Sequence, residues 1–518
     1  MTPIDALRFI AVSGLLTIAY AQPMAAQDRF TVHGVGSVEE LNAPGDLYVQ
    51  TRKITSEDGT EITADFGRLV VPENRAKPSS DPIQIAFARL RGPADAVRPP
   101  VIYLAGGPGG SSTWETEVPE WLQRWVPLLD DGDVILLDQR GTGDSSPRLR
   151  WRRPGLPRFE AFASKAAMDD LAIEMATRAR EDLEARGRDL AGYTSVESAR
   201  DIDALREALE LEKIDLIGFS YGTHLGIAYA RAFGDHVESM VLAGVEGPDQ
   251  TLKLPLYMDT GFRRLSTLVR NDPELGPRIP DLVALLKRVQ ARLERQPMVV
   301  TLTDPETGNH YDTPVGRHFL DYIIRRDLGD ASDLPVFPRL LYSIDQGDPR
   351  VLTWFVQKRA GVLLVVDGMS AVMDIASGAT PERRRLIAAQ ASRSMFRDAA
   401  NFPMPLWDDA WEAPDLGDDF RSPLVSDVHT LLLSGTLDWN TPPFQAEQLR
   451  WGMTDATHLV VRNAGHEQIL AHPTIWTAVR DFLRGEDVSD VDAAWPAIEW
   501  VPLEGHDPER THPSVPED

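Results

Sequence analysis

Cysteine is absent from all 518 residues. Disulfides, thiolate metal sites and a cysteine nucleophile are therefore excluded. Positive charge is scarce, with 53 Lys and Arg against 79 Asp and Glu, a formal net charge of −26. That balance serves solubility and disfavours binding to nucleic acid or anionic lipid, both of which need a basic surface. There is no HExxH, no EF-hand spacing, and no Gly-Lys-Ser/Thr after a glycine-rich loop. No metal and no cofactor are expected. An acidic stretch carrying Asp327, Asp330 and Asp333 lacks an ordered ligand pattern and reads as a solvated loop. No repeat at solenoid or propeller period is visible.

What is present has globular proportions, 42% hydrophobic and 25% charged, with ample chain for a large core. The N-terminus reads as a targeting segment. Arg8 precedes an apolar run, Phe9 to Tyr20, too short to span a bilayer comfortably, and Ala19-Tyr20-Ala21 offers a small-residue cleavage site. Residues 1–21 are thus expected to be a secretory signal, which suits a periplasmic or secreted bacterial protein with no stable membrane insertion after cleavage.

Residues ~45 to 95 alternate apolar and polar side chains between turn signals, as antiparallel hairpins do. The rhythm then changes. Val101–Leu104, Val134–Leu137, Ile214–Ile217, Met240–Ala243, Thr430–Leu433 and His458–Val461 are short apolar runs separated by helical stretches. Such runs form a mainly parallel sheet covered by helices on both faces. Thr194 and Glu197 are spaced as a capping box, with Ile202, Leu205, Ala208 and Leu209 on one helical face behind them. Between Gly247 and about Ser422 the strand rhythm disappears. Leu282, Leu285, Leu286, Val289 and Leu293 follow Pro280 at helical spacing, which places that proline in a first turn. The expected division is 22–247 for the first part of the core, 248–422 for a helical insertion, 423–486 for the second part of the core, and 487–518 for an acidic tail that wraps the surface or frays.

Gly218-Phe219-Ser220-Tyr221-Gly222 sits between a strand and a helix. The turn is so tight that the neighbours of Ser220 must be small, and the hydroxyl then projects above the sheet. A serine needs a base, and the base needs an orienting acid. Of eleven histidines, His466 lies in a loop just after the last strand, with His472 as its rival. Asp438 follows the strand ending at Leu433 and is the candidate acid, with Glu246 as competitor. The glycine loop Ala105 to Gly110 follows a strand and can supply backbone donors to an oxyanion. Gly107 or a neighbour is one expected donor, and the Tyr221 N–H is the other. The Asp138-to-Gly141 turn reads as structural, with Arg140 pairing a carboxylate.

Taken in order, Gly106-Gly107-Pro108-Gly109, Asp138-Gln139-Arg140-Gly141-Thr142-Gly143, Gly218-Phe219-Ser220-Tyr221-Gly222-Thr223, Gly435-Thr436-Leu437-Asp438 with Thr441-Pro442, and Gly465-His466 resemble the prolyl iminopeptidase and tripeptidyl aminopeptidase group of α/β-hydrolases. The resemblance covers roughly residues 60 to 485. It implies the α/β-hydrolase fold, a helical cap over the active site, and peptidase action from a free N-terminus. That group often carries His before Gly-Gly-Pro-Gly; here Ala105 stands there, which removes a side-chain contact but not the backbone donors. An exopeptidase also needs carboxylates for the substrate ammonium. Glu246 at the cap entrance is one candidate, and Asp367 and Asp374 are among several cap acids. The expectation is an exported serine hydrolase acting on short peptides as an aminopeptidase, with a carboxylesterase on the same scaffold as the alternative. The partner is a small peptide or ester; oligomeric state stays open.

Overall fold

The computed structural model describes residues 41–154, 159–304, 307–329 and 333–504. The expected signal segment 1–21, Asp330 and the last part of the tail lie outside the described residues.

Thirteen strands run in the order β1 (Leu47–Thr55), β2 (Glu61–Pro72), β3 (Pro82–Leu90), β4 (Val101–Leu104), β5 (Val134–Leu137), β6 (Arg150–Arg152), β7 (Ile214–Phe219), β8 (Val237–Ala243), β9 (Met298–Thr303), β10 (His310–Val315), β11 (Val365–Asp367), β12 (His429–Gly435) and β13 (Ala456–Val461) among the described residues. Nine of them form one sheet, ordered β1-β2-β3-β5-β4-β7-β8-β12-β13. The first three pair antiparallel, β3 meets β5 antiparallel, and every later pairing is parallel. All six apolar runs singled out in the sequence fall on the parallel part. They lack polar alternation because both faces are covered. On β4, Ile102 and Leu104 enter the core on one side while Val101 and Tyr103 enter the core on the other.

Three helices flank or follow the core strands at points that matter below: α1 (Ser195–Ala208), α2 (Tyr221–Phe233) and, in the insertion, α3 (Leu282–Arg295). The capping box expected at α1 is half formed. Thr194 Oγ1 accepts from the Glu197 N–H at 3.3 Å, but the Glu197 carboxylate turns away to Arg75 at 2.8 Å and Arg200 at 2.7 Å. A charged partner outcompetes a backbone N–H for it. At α3 the five expected apolar positions are all buried. Its cap is Asp281, which accepts from the Ala284 N–H at 2.9 Å, so Pro280 precedes the cap instead of occupying the first turn.

The stretch between β8 and β12 is not purely helical. β9 and β10 form an antiparallel hairpin, because Val300, Leu302 and Val315 alternate inward from a polar turn. β11 pairs with β6 of the core and delivers the chain to the start of a further helix. Three more helices there are α4 (Arg317–Asp327), α5 (Arg350–Ala360) and α6 (Gly368–Ser377). The acidic stretch after α4 is not a solvated loop either. Asp327 and Asp333 are buried against Lys358 and Arg359 of α5. Those cations lie 25 to 32 residues further along, which no local pattern reveals. The tail wraps the surface as far as it is described: Trp495 N–H donates to Arg462 O at 2.9 Å, and Val501 N–H to Pro335 O at 3.2 Å.

Arg140 has the structural role expected of it. It is fully buried, takes Asp201 with Nε and Nη2 at 2.7 Å each, and donates to the Glu73 carbonyl at 2.6 Å. This joins the turn after β5 to α1 and to the loop after β2. Replacing it removes the two-point partner of buried Asp201, which keeps only Arg75 at 2.8 Å, and leaves the Glu73 carbonyl without this donor. Arg140→Leu should therefore cost about 3–5 kcal/mol in urea unfolding, and a loss under 1 kcal/mol would contradict this role.

Candidate active site

Ser220 stands between β7 and α2 as the helix cap, with φ 55° and ψ −123°, a conformation that costs a non-glycine residue about 1–3 kcal/mol. Its surroundings leave no alternative. A Cβ at Gly222 would stand 1.9 Å from the Leu104 carbonyl oxygen, and one at Gly218 would stand 2.6 Å from that of Gly222. Both glycines of the motif thus let α2 start directly against β4. The Ser220 N–H donates to Ala243 O at 2.9 Å. Thr223 Oγ1 donates to Ser220 O at 2.7 Å and accepts from the Glu246 N–H at 2.8 Å, which ties the elbow to the end of β8. Ser220 itself is half-buried.

His466 and Asp438 converge beside it. His466 Nδ1 lies 2.8 Å from Asp438 Oδ2, and both side chains are buried. The imidazole packs 4.9 Å from the ring of Phe219, the residue before Ser220. It also packs against Gly244, where a Cβ would stand 3.0 Å from His466 Cε1. Burial alone would push the His466 pKa down, but the adjacent Asp438 charge and its hydrogen bond outweigh that, and Glu467 adds to them. The net shift is upward. The rivals have other work. His472 caps the final helix, accepting from the Thr474 N–H at 3.2 Å. Glu246 pairs with Lys253.

Sequence reasoning assigned no role to Thr441. Its hydroxyl donates to Asp438 Oδ2 at 2.6 Å and lies 3.1 Å from His466 Nδ1. The Asn440 and Thr441 N–H groups donate to Asp438 Oδ1 at 2.9 and 3.0 Å. The carboxylate is thus held by both oxygens, with one edge on the imidazole. The Asp-x-x-Thr spacing ahead of Pro442 was the available signal.

The glycine loop lies against the elbow. A Cβ at Gly106 would stand 2.9 Å from Ser220 Cβ. Gly107 has φ 125°, open to glycine and little else. Tyr221 is the first residue of α2, so its N–H has no carbonyl within the helix. Neither the Gly107 nor the Tyr221 N–H donates to another described residue. The Tyr221 side chain turns into the core, 3.0 Å from both Ser195 Oγ and Met373 Sδ.

Helix α6 roofs this arrangement. Its cap residue Asp367 accepts from the Ser370 N–H at 3.0 Å and sits over Gly109, and Ser370 Oγ donates to Pro108 O. Further along, Met373 touches Tyr221, and Ser377 Oγ lies 3.1 Å from His224 Nε2 on α2. Between them on the helix, the half-buried Asp374 carboxylate has no hydrogen bond or ion pair to any described residue, while its backbone carbonyl accepts the Gly378 N–H at 2.8 Å. Burial, reinforced by the Glu246 charge, pushes its pKa up to about 8. Among the described residues, no group of three or more His, Asp or Glu could hold a metal ion, and no helix is long and apolar enough to cross a membrane.

Against known proteins, the model of the family described as alpha/beta hydrolase fold matches residues 99–473, well over half of the chain. The chain is 29% identical over 260 residues to the tripeptidyl aminopeptidase of Streptomyces lividans, covering 46% of this chain and 48% of that protein. It is 29% identical over 207 residues to the serine protease Hip1 of Mycobacterium tuberculosis, covering 38% and 39%. It is 24% identical over 242 residues to the proline iminopeptidase of Aeromonas sobria, covering 46% and 49%. In each case the match spans about half of the relative's length or less.

Two measurements check this geometry. Thr441→Val removes one buried hydrogen bond worth about 1–1.5 kcal/mol, so hydrolytic kcat/KM should fall about tenfold with the melting temperature nearly unchanged; an undiminished rate would remove Thr441 from the site. The acid limb of the pH–rate profile should lie above the ordinary imidazole value, because a raised His466 pKa keeps the ring protonated to higher pH. Glu467→Gln should move that limb to lower pH, and a shift the other way would contradict the assigned cause.

Proposed function

Because the chain belongs to the alpha/beta hydrolase fold family, we propose that it is an exported serine aminopeptidase working through an acyl-enzyme on Ser220. His466 Nε2 takes the Ser220 hydroxyl proton as Oγ attacks the scissile carbonyl. Asp438 holds Nδ1–H and stabilises the imidazolium. The developing oxyanion is received by the N–H groups of Tyr221 and Gly107, at the positive end of α2. His466 then gives its proton to the departing amine. The ester left on Ser220 is cleaved by water that His466 deprotonates, which restores the serine and frees the N-terminal fragment.

The observation that carries the aminopeptidase reading is the pair of carboxylates Glu246, just past β8, and Asp374, on the roof helix α6. Glu246 is already neutralised by Lys253. The Asp374 carboxylate has no cation in contact with it; desolvation and the Glu246 charge outweigh the more distant Lys253 and Arg325, and its pKa rises to about 8. A substrate ammonium placed there restores its ionisation. Asp374 is therefore the principal amine anchor, with Glu246 and Lys253 as its electrostatic neighbours. Export rests on the N-terminal run from Phe9 to Tyr20 and suits a chain without cysteine.

The test uses trialanyl p-nitroanilide with its N-terminus free or acetylated, alongside p-nitrophenyl acetate. The free-amine substrate should be cleaved, the acetylated one spared, and Ser220→Ala should abolish turnover. Asp374→Asn should raise KM for the free-amine substrate at least tenfold, an interaction of about 1.4 kcal/mol or more, while leaving the ester rate within twofold. Ester cleavage without amide cleavage would make the protein a carboxylesterase, and equal losses on both substrates would reject Asp374 as the anchor.

A further inference from the structure

Gly329, just past the end of α4, reaches the catalytic loops. The Gly329 carbonyl accepts the backbone N–H of His466 at 2.8 Å. Gly329 also packs on Asn440, so closely that a Cβ would stand 2.2 Å from Asn440 Nδ2. The Asn440 N–H in turn holds Asp438 Oδ1. One short piece of the insertion thus touches the loops of both acid and base.

Two described acids near Gly329, Asp327 before it and Asp333 after it, both meet one helix. Asp327 and Asp333 are 0% exposed. Arg359 of α5 takes Asp327 through Nε at 3.0 Å and again through Nη2. Lys358 Nζ lies 2.6 Å from Asp333 Oδ2 and 3.6 Å from Asp327 Oδ1. The C-terminal tail adds a second tie. Asn463 Nδ2 on the His466 loop donates to Trp495 O at 3.0 Å, and Val501 N–H reaches Pro335 O, two residues past Asp333.

We propose that Asp327, Asp333, Lys358 and Arg359 form a positioning clamp for His466. The inference rests on the reading of His466 as the general base. A buried backbone N–H requires an acceptor, and Gly329 supplies it. Buried paired charges resist separation because each partner left behind is an uncompensated ion. The clamp therefore fixes Gly329, and Gly329 fixes the backbone of the base. At Gly329 the insertion meets the His466 loop directly. Its seating and the alignment of the acid–base pair are one event.

Inactivation by diisopropyl fluorophosphate, followed by intact mass across pH, resolves a limiting rate from a half-saturating concentration and needs no substrate. Gly329→Val, which forces the segment off Asn440, should lower the limiting rate about tenfold or more with half-saturation within twofold. Its acid limb should move to lower pH, because Asp438 then supports the imidazolium less closely. Arg359→Met should do the same, and Arg359→Lys, which keeps the charge, should recover most of the rate. A folded Gly329→Val protein with wild-type rate and unshifted limb would overturn the clamp, whether or not Arg359→Met accumulates. His466→Ala reacting as fast as wild type would instead remove His466 as the base, and the clamp with it; that outcome is recognisable without any clamp variant.

Discussion

The backbone at Ser220 is the constraint on which the site depends. A strand becomes a helix there within one residue, and only the missing side chains of Gly218 and Gly222 let the helix begin against the β4 carbonyls. The strain at Ser220, about 1–3 kcal/mol, is small beside the burial of α2, whose apolar residues are almost wholly enclosed. Packing therefore wins, and the serine is held proud of the sheet. Everything else is placed relative to it. The glycine loop lies on Ser220 Cβ, Thr223 links the serine carbonyl to the end of β8, and the imidazole fills the space beside Phe219 and Gly244.

Buried charge is the second organising element, and the same physics gives different results at each location. At Arg140 and at Arg359 the ions are closely paired, and their value lies in joining distant segments. At Asp438 both oxygens are held by a hydroxyl, two backbone N–H groups and an imidazole, so the carboxylate is fixed in place against its neighbour. At Asp374 no cation is in contact, desolvation and the Glu246 charge outweigh the more distant Lys253 and Arg325, and the proton affinity rises. The unpaired member of such a set is the one with binding capacity to spare.

The sequence made the sheet legible because its strands are short apolar runs bounded by helical stretches, and both faces of that sheet are covered. It also exposed Ser220, Asp438 and His466 as candidates, since each sits just past a strand end where a side chain can reach over the sheet edge. Their convergence is a matter of register between β7, β8, β12 and β13, which periodicity does not encode. The insertion was less legible. The β9–β10 hairpin is a short alternation hidden among helical segments. Asp327 and Asp333 looked solvated because their partners Lys358 and Arg359 are remote in sequence. Thr441 was visible as a residue but not as a ligand of Asp438, because its contact depends on the turn that Asp438 itself organises. Only the Thr194 half of the capping box at α1 formed, for a similar reason, since Arg75 arrives from another part of the chain.

The central claim is that one serine, raised by a strained turn and served by one buried imidazole–carboxylate pair, carries the chemistry. The most direct measurement is to treat the protein with a fluorophosphonate, digest it, and locate the adduct by mass spectrometry. The geometry predicts a single adduct, on Ser220, absent from Ser220→Ala and formed far more slowly in His466→Ala and Asp438→Asn. An adduct on another residue, or none on wild-type protein, would contradict it.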